Sequence, residues 1–277
     1  MHWLGKIIGK KLTEPRLRTG RRVFAIGDIH GRLDLLNLLL GQIANHAARH
    51  PVPDNSVIFL GDYIDRGPDS RGVIDKLIAL QQVFPGWELH FLRGNHDNAA
   101  LEFIENPGHY TAWRSHGAAQ TLLSYDVIPP RFEQRRQFEQ ARDEFVRAIP
   151  RAHVKFLDQL KYFHVEDDYL FVHAGIRPGI ALADQLPEDL LWIREDFLLH
   201  RRRFEKMIVH GHTPAPSPTV LSNRICVDTG AHATGHLTAL VLDSESRSFL
   251  VTGKAMEKVA QRNNLTTPRL RRELANN

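Results

Sequence analysis

The sequence predicts an α/β protein of one domain, two facing β-sheets flanked by helices, with a helical insertion at 107–160. Three observations carry this. The first third of the chain alternates short apolar strands with helices. Residues 107–160 hold helix formers and no clear strand. From 169 onward, short apolar runs return with turn residues between them.

The elements follow in order. Val23–Ile26 reads as a strand. Leu33–Ala48 reads as a helix, because its leucines and Ile43 recur at helical spacing. Val57–Leu60 is a strand, Ser70–Gln82 a helix, Trp87–Leu92 a strand, and Asn98–Glu105 the start of a helix. Strands alternating with helices imply a parallel sheet covered on its faces. In the insertion, Phe132–Ile149 is the clearest helix, and Pro129-Pro130 and Pro150 punctuate the segment. Five strands come after it: Tyr169–Val172, Met207–Val209, Arg224–Val227, Leu237–Leu242 and Ser248–Val251. The last three lie close together, so an antiparallel meander is expected there.

Composition sets the class. The chain has 277 residues, 42% hydrophobic and 25% charged, as in a soluble globular protein. No apolar run reaches the roughly 18–20 residues of a membrane span. The N-terminal apolar stretch is short and no small-residue cleavage site follows it, so a secretory signal is not expected. The single cysteine, Cys226, excludes an internal disulfide and suits a reducing cytoplasm, with Cys226 as a core filler. Charge concentrates at the ends: residues 1–22 carry seven Lys/Arg and one Glu, and 254–277 carry six and two. Segments 1–21 and 254–277 therefore read as basic, solvated tails around a catalytic domain at 22–253.

The chemistry lies in five turns. Gly27-Asp-Ile-His-Gly31 follows the first strand and Gly61-Asp-Tyr-Ile-Asp-Arg-Gly67 the second. Arg93-Gly-Asn-His-Asp97 follows the third. Val172-His-Ala-Gly175 and His210-Gly-His-Thr-Pro214 follow later strands. Any one of these is an ordinary turn, and Asp65-Arg66 alone is an ordinary surface pair. Together they place Asp, His and Asn beside glycines at the C-terminal ends of strands, the rim where open α/β folds put ligands. Asp28, His30, Asp62, Asn95, His173 and His212 offer more oxygen and nitrogen donors than one metal can use. Two divalent metals sharing a carboxylate can use them, and manganese, iron or zinc suits this donor set. Two such cations against two carboxylates leave a positive site suited to phosphate.

The ordered set GDIHG, GDYIDRG, RGNHD, HAG and HGHT resembles the phosphoprotein phosphatase family of metal-dependent serine/threonine phosphatases, closest to its bacterial and bacteriophage members. Leu191-Trp-Ile-Arg-Glu195 and Val227-Asp-Thr-Gly230 extend the likeness, which runs from Arg22 to Leu242. The resemblance implies the calcineurin-like metallophosphoesterase fold, a β-sandwich flanked by helices. It implies Asp28 and His30 as ligands of one metal, Asp62 as the bridge, and Asn95, His173 and His212 on the other metal. It further implies a metal-activated water as nucleophile, His96 as proton donor to the leaving alkoxide, Asp65 as the acid that holds His96, and Arg66 and Arg194 on the phosphoryl oxygens. His210 could reach the metals from the other side of Gly211, but the family pattern assigns the ligand to His212, and the remaining histidines, His116 and His232 among them, read as structural or solvated.

The resemblance also implies the partner, a phosphorylated protein or small phosphoester; no membrane span is expected from the apolar pattern, and a nuclease is a weaker alternative supported only by the basic tails. Two departures stand out. Asp97 occurs where the eukaryotic enzymes carry Glu, and their Ser-Ala-Pro-Asn-Tyr segment is absent. The competing reading is the related symmetrical diadenosine tetraphosphatase, which shares the ligands but usually lacks an acid at the position of Asp65. Asp65 therefore favours a monoesterase. An inactive phosphate-binding protein is disfavoured because every ligand and both arginines are present. The insertion is expected either to cap the site or only to pack.

Overall fold

A computed structural model describes residues 14–244 and 246–253, so the tail segments 1–13 and 254–277 lie outside the described residues. Its strands are β1 (Arg21–Ile26), β2 (Asp54–Phe59), β3 (Glu88–Phe91), β4 (Phe163–Glu166), β5 (Tyr169–Val172), β6 (Met207–His210), β7 (Thr219–Val220), β8 (Arg224–Cys226), β9 (Thr238–Asp243) and β10 (Ser246–Val251). One five-stranded sheet runs β10-β9-β1-β2-β3 and the other β4-β5-β6-β8-β7. In the first, β1, β2 and β3 are parallel; in the second, β5, β6 and β8 are parallel.

The two-residue period of a strand separates two layers of core. Val23, Ala25, Ile58 and Leu60 meet Tyr169, Phe171, Val209 and Ile225 between the sheets. Phe24, Ile26, Val57 and Phe59 face outward into the helical layer. There, helix Leu33–Arg49 buries Leu35, Leu36, Leu39, Leu40 and Ile43 along one stripe. The outer face of the second sheet, Leu170, Val172 and Ile208, packs on Leu190, Ile193 and Phe197. Burial of each such side chain contributes about 1.5–3 kcal/mol, so both sheets are held rigidly from both sides.

The insertion is helical, as expected: after a single 3-10 turn at Pro107–His109 come helices Tyr110–Arg114, Ala118–Ser124, Arg135–Ala148 and Arg151–Asp158. They join the first sheet's helical layer through Trp113, Leu122, Tyr125, Phe145 and Leu157.

Several expectations need correction. The last three strands are not one meander. Strand β8 lies in the second sheet, parallel to β6 and antiparallel to β7, while β9 and β10 form a hairpin in the first. The chain crosses between sheets after Cys226, and apolar spacing does not report such a crossing. Strands β4 and β7 were not expected. β4 pairs with β5 across a tight turn at Asp167, which has φ +48°. The helix expected over Ser70–Gln82 divides into Ser70–Ile78 and Leu80–Val83. The helix expected from Asn98 begins at Asn95, because Asp97 Oδ2 accepts the Gly94 amide at 2.9 Å and caps its first turn.

Arg21 and Arg22, at the boundary drawn for the N-terminal tail, are buried in β1. Arg21 reaches Glu88 on one sheet at 2.7 Å and Glu166 on the other at 2.9 Å, pinning the two sheets at the end opposite the five motif turns. Cys226 is buried, as expected. Among the described residues no helix is long and apolar enough to cross a membrane.

Candidate metal centre and active site

All five motif turns lie beyond the C-terminal ends of parallel strands: β1, β2 and β3 in one sheet, β5 and β6 in the other. The facing sheets bring them together. Asp28, His30, Asp62, Asp65, Asn95, His96, His173 and His212 are all buried there. The backbone is unusual at the same place. His30 (φ +47°), Asp62 (+54°), Asp65 (+73°), Arg66 (+65°) and His212 (+63°) are non-glycine residues in the left-handed region. That region costs side-chain-bearing residues roughly 1–3 kcal/mol each, and such strain gathers at functional sites. Gly94 has its own reason: a Cβ there would lie 2.1 Å from Asp62 Oδ1.

Asp62 is the centre. Its Oδ2 lies 3.6 Å from His30 Nε2, 3.8 Å from His96 Nε2 and 3.5 Å from His173 Nε2. Two groups with metal-ligand spacing share it: His30, Asp62 and His96, and Asp62, His173 and His212. His30 Nδ1 bonds the Ile64 carbonyl at 2.9 Å, and His173 Nδ1 bonds the Leu60 carbonyl at 2.9 Å. A ring whose Nδ1–H donates to a carbonyl presents the lone pair of Nε2. Both lone pairs therefore face Asp62. Asn95 Oδ1 adds to the second group, 2.9 Å from His173 Nε2 and 3.0 Å from His212 Nδ1. Acceptors converging on one point are the surroundings of a cation.

Electrostatics agree with that. Burial, then neighbouring acids, hold the carboxyls of Asp28 and Asp62 well above the ordinary range. Burial lifts Asp97 to about 7 and Asp228 to about 6. Burial lowers His173 to about 3 and pushes His30, His96 and His212 well down, so these imidazoles are neutral. Neutral imidazoles and crowded buried carboxyls form a donor set that fits divalent metal. The buried Nε2 of His212 also has no hydrogen-bond partner among the described residues.

The expected residues are distributed as follows. Asp28 is at the rim but outside both groups; its oxygens accept the His212 amide at 3.1 and 3.2 Å, and it interacts with Asp228. His96 donates or accepts at both ring nitrogens: Nδ1 is 2.7 Å from Asp65 Oδ2, and Nε2 is 3.1 Å from Arg66 Nη2. Arg66 is exposed beside that ring. Arg194 is exposed too, and its charge reaches His173, His212 and Asp228. His210 is elsewhere: its ring packs edge-on against Phe197 at 5.0 Å and joins neither group. A cleft of about 670 Å³, lined by Arg32, Arg66 and His232 among others, adjoins the site.

Sequence reasoning missed other residues. Asp97 is a girder for the Asp62 loop, since its carboxylate accepts the amides of Asp62 (2.8 Å), Tyr63 (3.0 Å) and Gly94 (2.9 Å). The three amides come from two motifs, and no motif spells that out. His116 and His232, read as structural or solvated, lie with their rings 5.4 Å from His96 and 5.1 Å from His30. They sit far from the motifs in sequence, so no local signal marked them.

Known proteins resemble this chain in sequence and shape. A bis(5'-nucleosyl)-tetraphosphatase PrpE [asymmetrical] from Bacillus thuringiensis (strain Al Hakam) is 30% identical over 240 residues, covering 78% of this chain and 88% of that protein. The solved structure of a putative diadenosine tetraphosphatase shares the fold with TM-score 0.57 at 18% identity, covering 88% of this chain and all of that one. A Saccharomyces cerevisiae protein serine/threonine phosphatase with similarity to human phosphatase PP5 superposes with TM-score 0.51 at 14% identity, covering 87% and 85%. The sequence profile of the Calcineurin-like phosphoesterase family matches residues 21–265. With five motif turns around Asp62, two facing sheets behind them and that match over most of its length, the chain belongs to the calcineurin-like phosphoesterase family.

Proposed function

We propose that this protein is a metal-dependent phosphomonoesterase of the serine/threonine protein phosphatase kind. The observation that carries the reading is the line Asp65–His96–Arg66 running up to Asp62, with contacts of 2.7 and 3.1 Å and His96 Nε2 3.8 Å from Asp62 Oδ2. On this reading Asp28, His30 and Asp62 hold one cation, and Asp62, Asn95, His173 and His212 hold a second. Manganese, iron or zinc fits such oxygen and imidazole donors. Bound there, divalent cations supply Lewis-acid stabilisation of a phosphoryl group and activation of water.

The chain's own residues do the rest. Arg66 and Arg194 grip phosphoryl oxygens with planar, permanently charged forks. When a phosphate dianion takes Arg66, the guanidinium leaves His96 Nε2 and negative charge arrives beside it. Both changes raise the affinity of Nε2 for a proton. Asp65 holds Nδ1–H, fixes the ring and stabilises the imidazolium. His96 then delivers the Nε2 proton to the leaving oxygen. Such an acid matters most for a poor leaving group, as the alkoxide of serine or threonine is. That need favours a phosphomonoester.

A second reading is hydrolysis of a dinucleoside tetraphosphate. The 30% identical relative's name favours it. One assay separates the two: phosphate release from a phosphoserine/phosphothreonine peptide beside nucleotide release from diadenosine tetraphosphate, both with Mn²⁺. Fast peptide turnover supports the protein phosphatase. Fast nucleotide cleavage without peptide turnover sinks it. The products then tell a symmetrical cut (two ADP) from an asymmetrical one (ATP and AMP).

A further inference from the structure

The acid behind His96 is held from outside the motif set. Asp65 lies in a motif turn, but two of the three hydrogen bonds to its carboxylate come from the insertion. Trp113, in helix Tyr110–Arg114, donates its indole N–H to Asp65 Oδ2 at 2.8 Å, the same oxygen that meets His96 Nδ1. Thr121, in helix Ala118–Ser124, donates its hydroxyl to Asp65 Oδ1 at 2.5 Å and accepts the Asp65 amide at 2.9 Å. Ser70 supplies the remaining partner of the Thr121 hydroxyl at 3.0 Å. Each hydroxyl hydrogen is then used once, Ser70 to Thr121 and Thr121 to Asp65, while the Asp65 amide is shared between the Thr121 and Ser70 oxygens at 2.9 and 3.1 Å. Next door, the Gly117 carbonyl accepts the Arg66 amide at 3.4 Å, and a Cβ on Gly117 would come within 2.8 Å of that nitrogen.

These donors sit on a stiff base. Trp113 and Thr121 are buried. The Trp113 ring packs on Phe103 at 5.2 Å and on Phe145 at 6.0 Å. Phe103 belongs to helix Asn95–Glu105, whose second residue is His96. The insertion therefore holds Asp65 directly and packs against the helix that carries His96. Asp65 and Arg66 have φ of +73° and +65°, a conformation the turn would not hold by itself.

We propose that the helical insertion is a catalytic positioning device, in which Trp113 and Thr121 fix the Asp65 carboxylate so that it aligns His96 as proton donor. The idea rests on the phosphoesterase reading above and goes beyond it. It gives the insertion a role other than capping the site or filling space. Trp113 and Thr121 touch no substrate. They act through Asp65, so their effect should appear where His96 is needed and nowhere else.

The test compares phenyl phosphate, a poor leaving group, with 4-nitrophenyl phosphate, a good one, using full-length protein and saturating Mn²⁺. Thr121→Val and Trp113→Phe should each lower kcat on phenyl phosphate by about ten-fold or more, with KM and 4-nitrophenyl phosphate turnover within about three-fold. Thr121→Ser, which keeps the hydroxyl, should restore the phenyl phosphate rate. In an Asp65→Asn background, Thr121→Val should cost nothing further, because the two act as one unit. The near-isosteric Thr121→Val carries the test if Trp113→Phe does not fold. Equal losses on both esters, or no loss on either, would overturn the positioning role while leaving the phosphoesterase reading intact. Wild-type protein inert on both esters would overturn that reading and this inference with it.

Discussion

Asp65 Oδ2 lies 2.7 Å from Nδ1 of His96, and both groups are buried. A carboxylate so placed fixes the tautomer of the ring and leaves Nε2 to face Arg66 and Asp62. If His96 donates a proton, its loss must hurt poor leaving groups most. His96→Asn should reduce turnover of a phosphoserine peptide by about 10²–10⁴-fold and of 4-nitrophenyl phosphate far less. Steady-state kinetics on the two substrates checks this, and matching losses would remove His96 from the proton-donor role.

Asp97 accepts three buried amides from two motif turns. Asp97→Asn puts an NH₂ against an N–H and leaves buried donors unpaired. It should destabilise the fold by about 1–3 kcal/mol and weaken metal binding, because Asp62 loses its backbone anchor. Denaturant melts and Mn²⁺ titration of the folded variant read both effects. A variant with unaltered stability would mean those amides find other partners.

Two glycines give opposite expectations. Gly94→Ala puts a methyl 2.1 Å from Asp62 Oδ1, so it should displace the Asp62 carboxylate and abolish activity. Gly41 lies within helix Leu33–Arg49, and among the described residues nothing beyond its own turn of helix comes within 4 Å of where a Cβ would stand. Gly41→Ala should stabilise the protein by about 0.5–1 kcal/mol without touching catalysis. Thermal melts and phosphatase assays of the pair test helix and site separately.

The site should make metal-free protein sensitive to pH on both sides. Burial lifts Asp65 and Asp97 to about 7 and Asp228 to about 6. Raised acids favour the protonated folded state, so their stabilisation is full below about 4 and is lost as pH rises through 6 to 7. Burial lowers His173 to about 3 and His210 to about 4. Lowered imidazoles contribute stability that is full above about 6.5 and is lost as pH falls through 4 to 3. Without metal, the melting temperature should therefore fall from about pH 6 to about pH 8. Saturating Mn²⁺ should shrink that fall, because cations bind only the folded site and their charge favours the ionised form of the buried carboxyls around it. Equal slopes with chelator and with Mn²⁺ would contradict a metal centre here.

Much of this was legible in the sequence, for identifiable reasons. Strand, glycine and ligand recur together, so Asp28, His30, Asp62, Asn95, His173 and His212 could be grouped before any coordinates, although Asp28 stands outside both metal-spaced groups. The apolar period of Leu33–Arg49 marked a helix because one stripe is buried. Other features left no local trace. β4 reads Phe-His-Val-Glu, an edge strand half open to solvent, and lacks the apolar run that marks β5. β8 resembles its sequence neighbours but pairs in the other sheet, a choice set by tertiary packing. Trp113 and Thr121 lie 48 and 56 residues from Asp65, and nothing near them announces an acid to hold. Asp97 looked like a change of acid at a motif's end, and only the packed turns reveal its three amides.

The most direct measurement is phosphate release by the purified protein with Mn²⁺, on a phosphoserine/phosphothreonine peptide and on diadenosine tetraphosphate, with Asp62→Asn alongside. The predicted result is rapid peptide turnover that Asp62→Asn lowers by several orders of magnitude while the variant keeps its fold. Full activity of Asp62→Asn at saturating metal would contradict Asp62 as the shared centre, and nucleotide cleavage without peptide turnover would contradict the monoesterase.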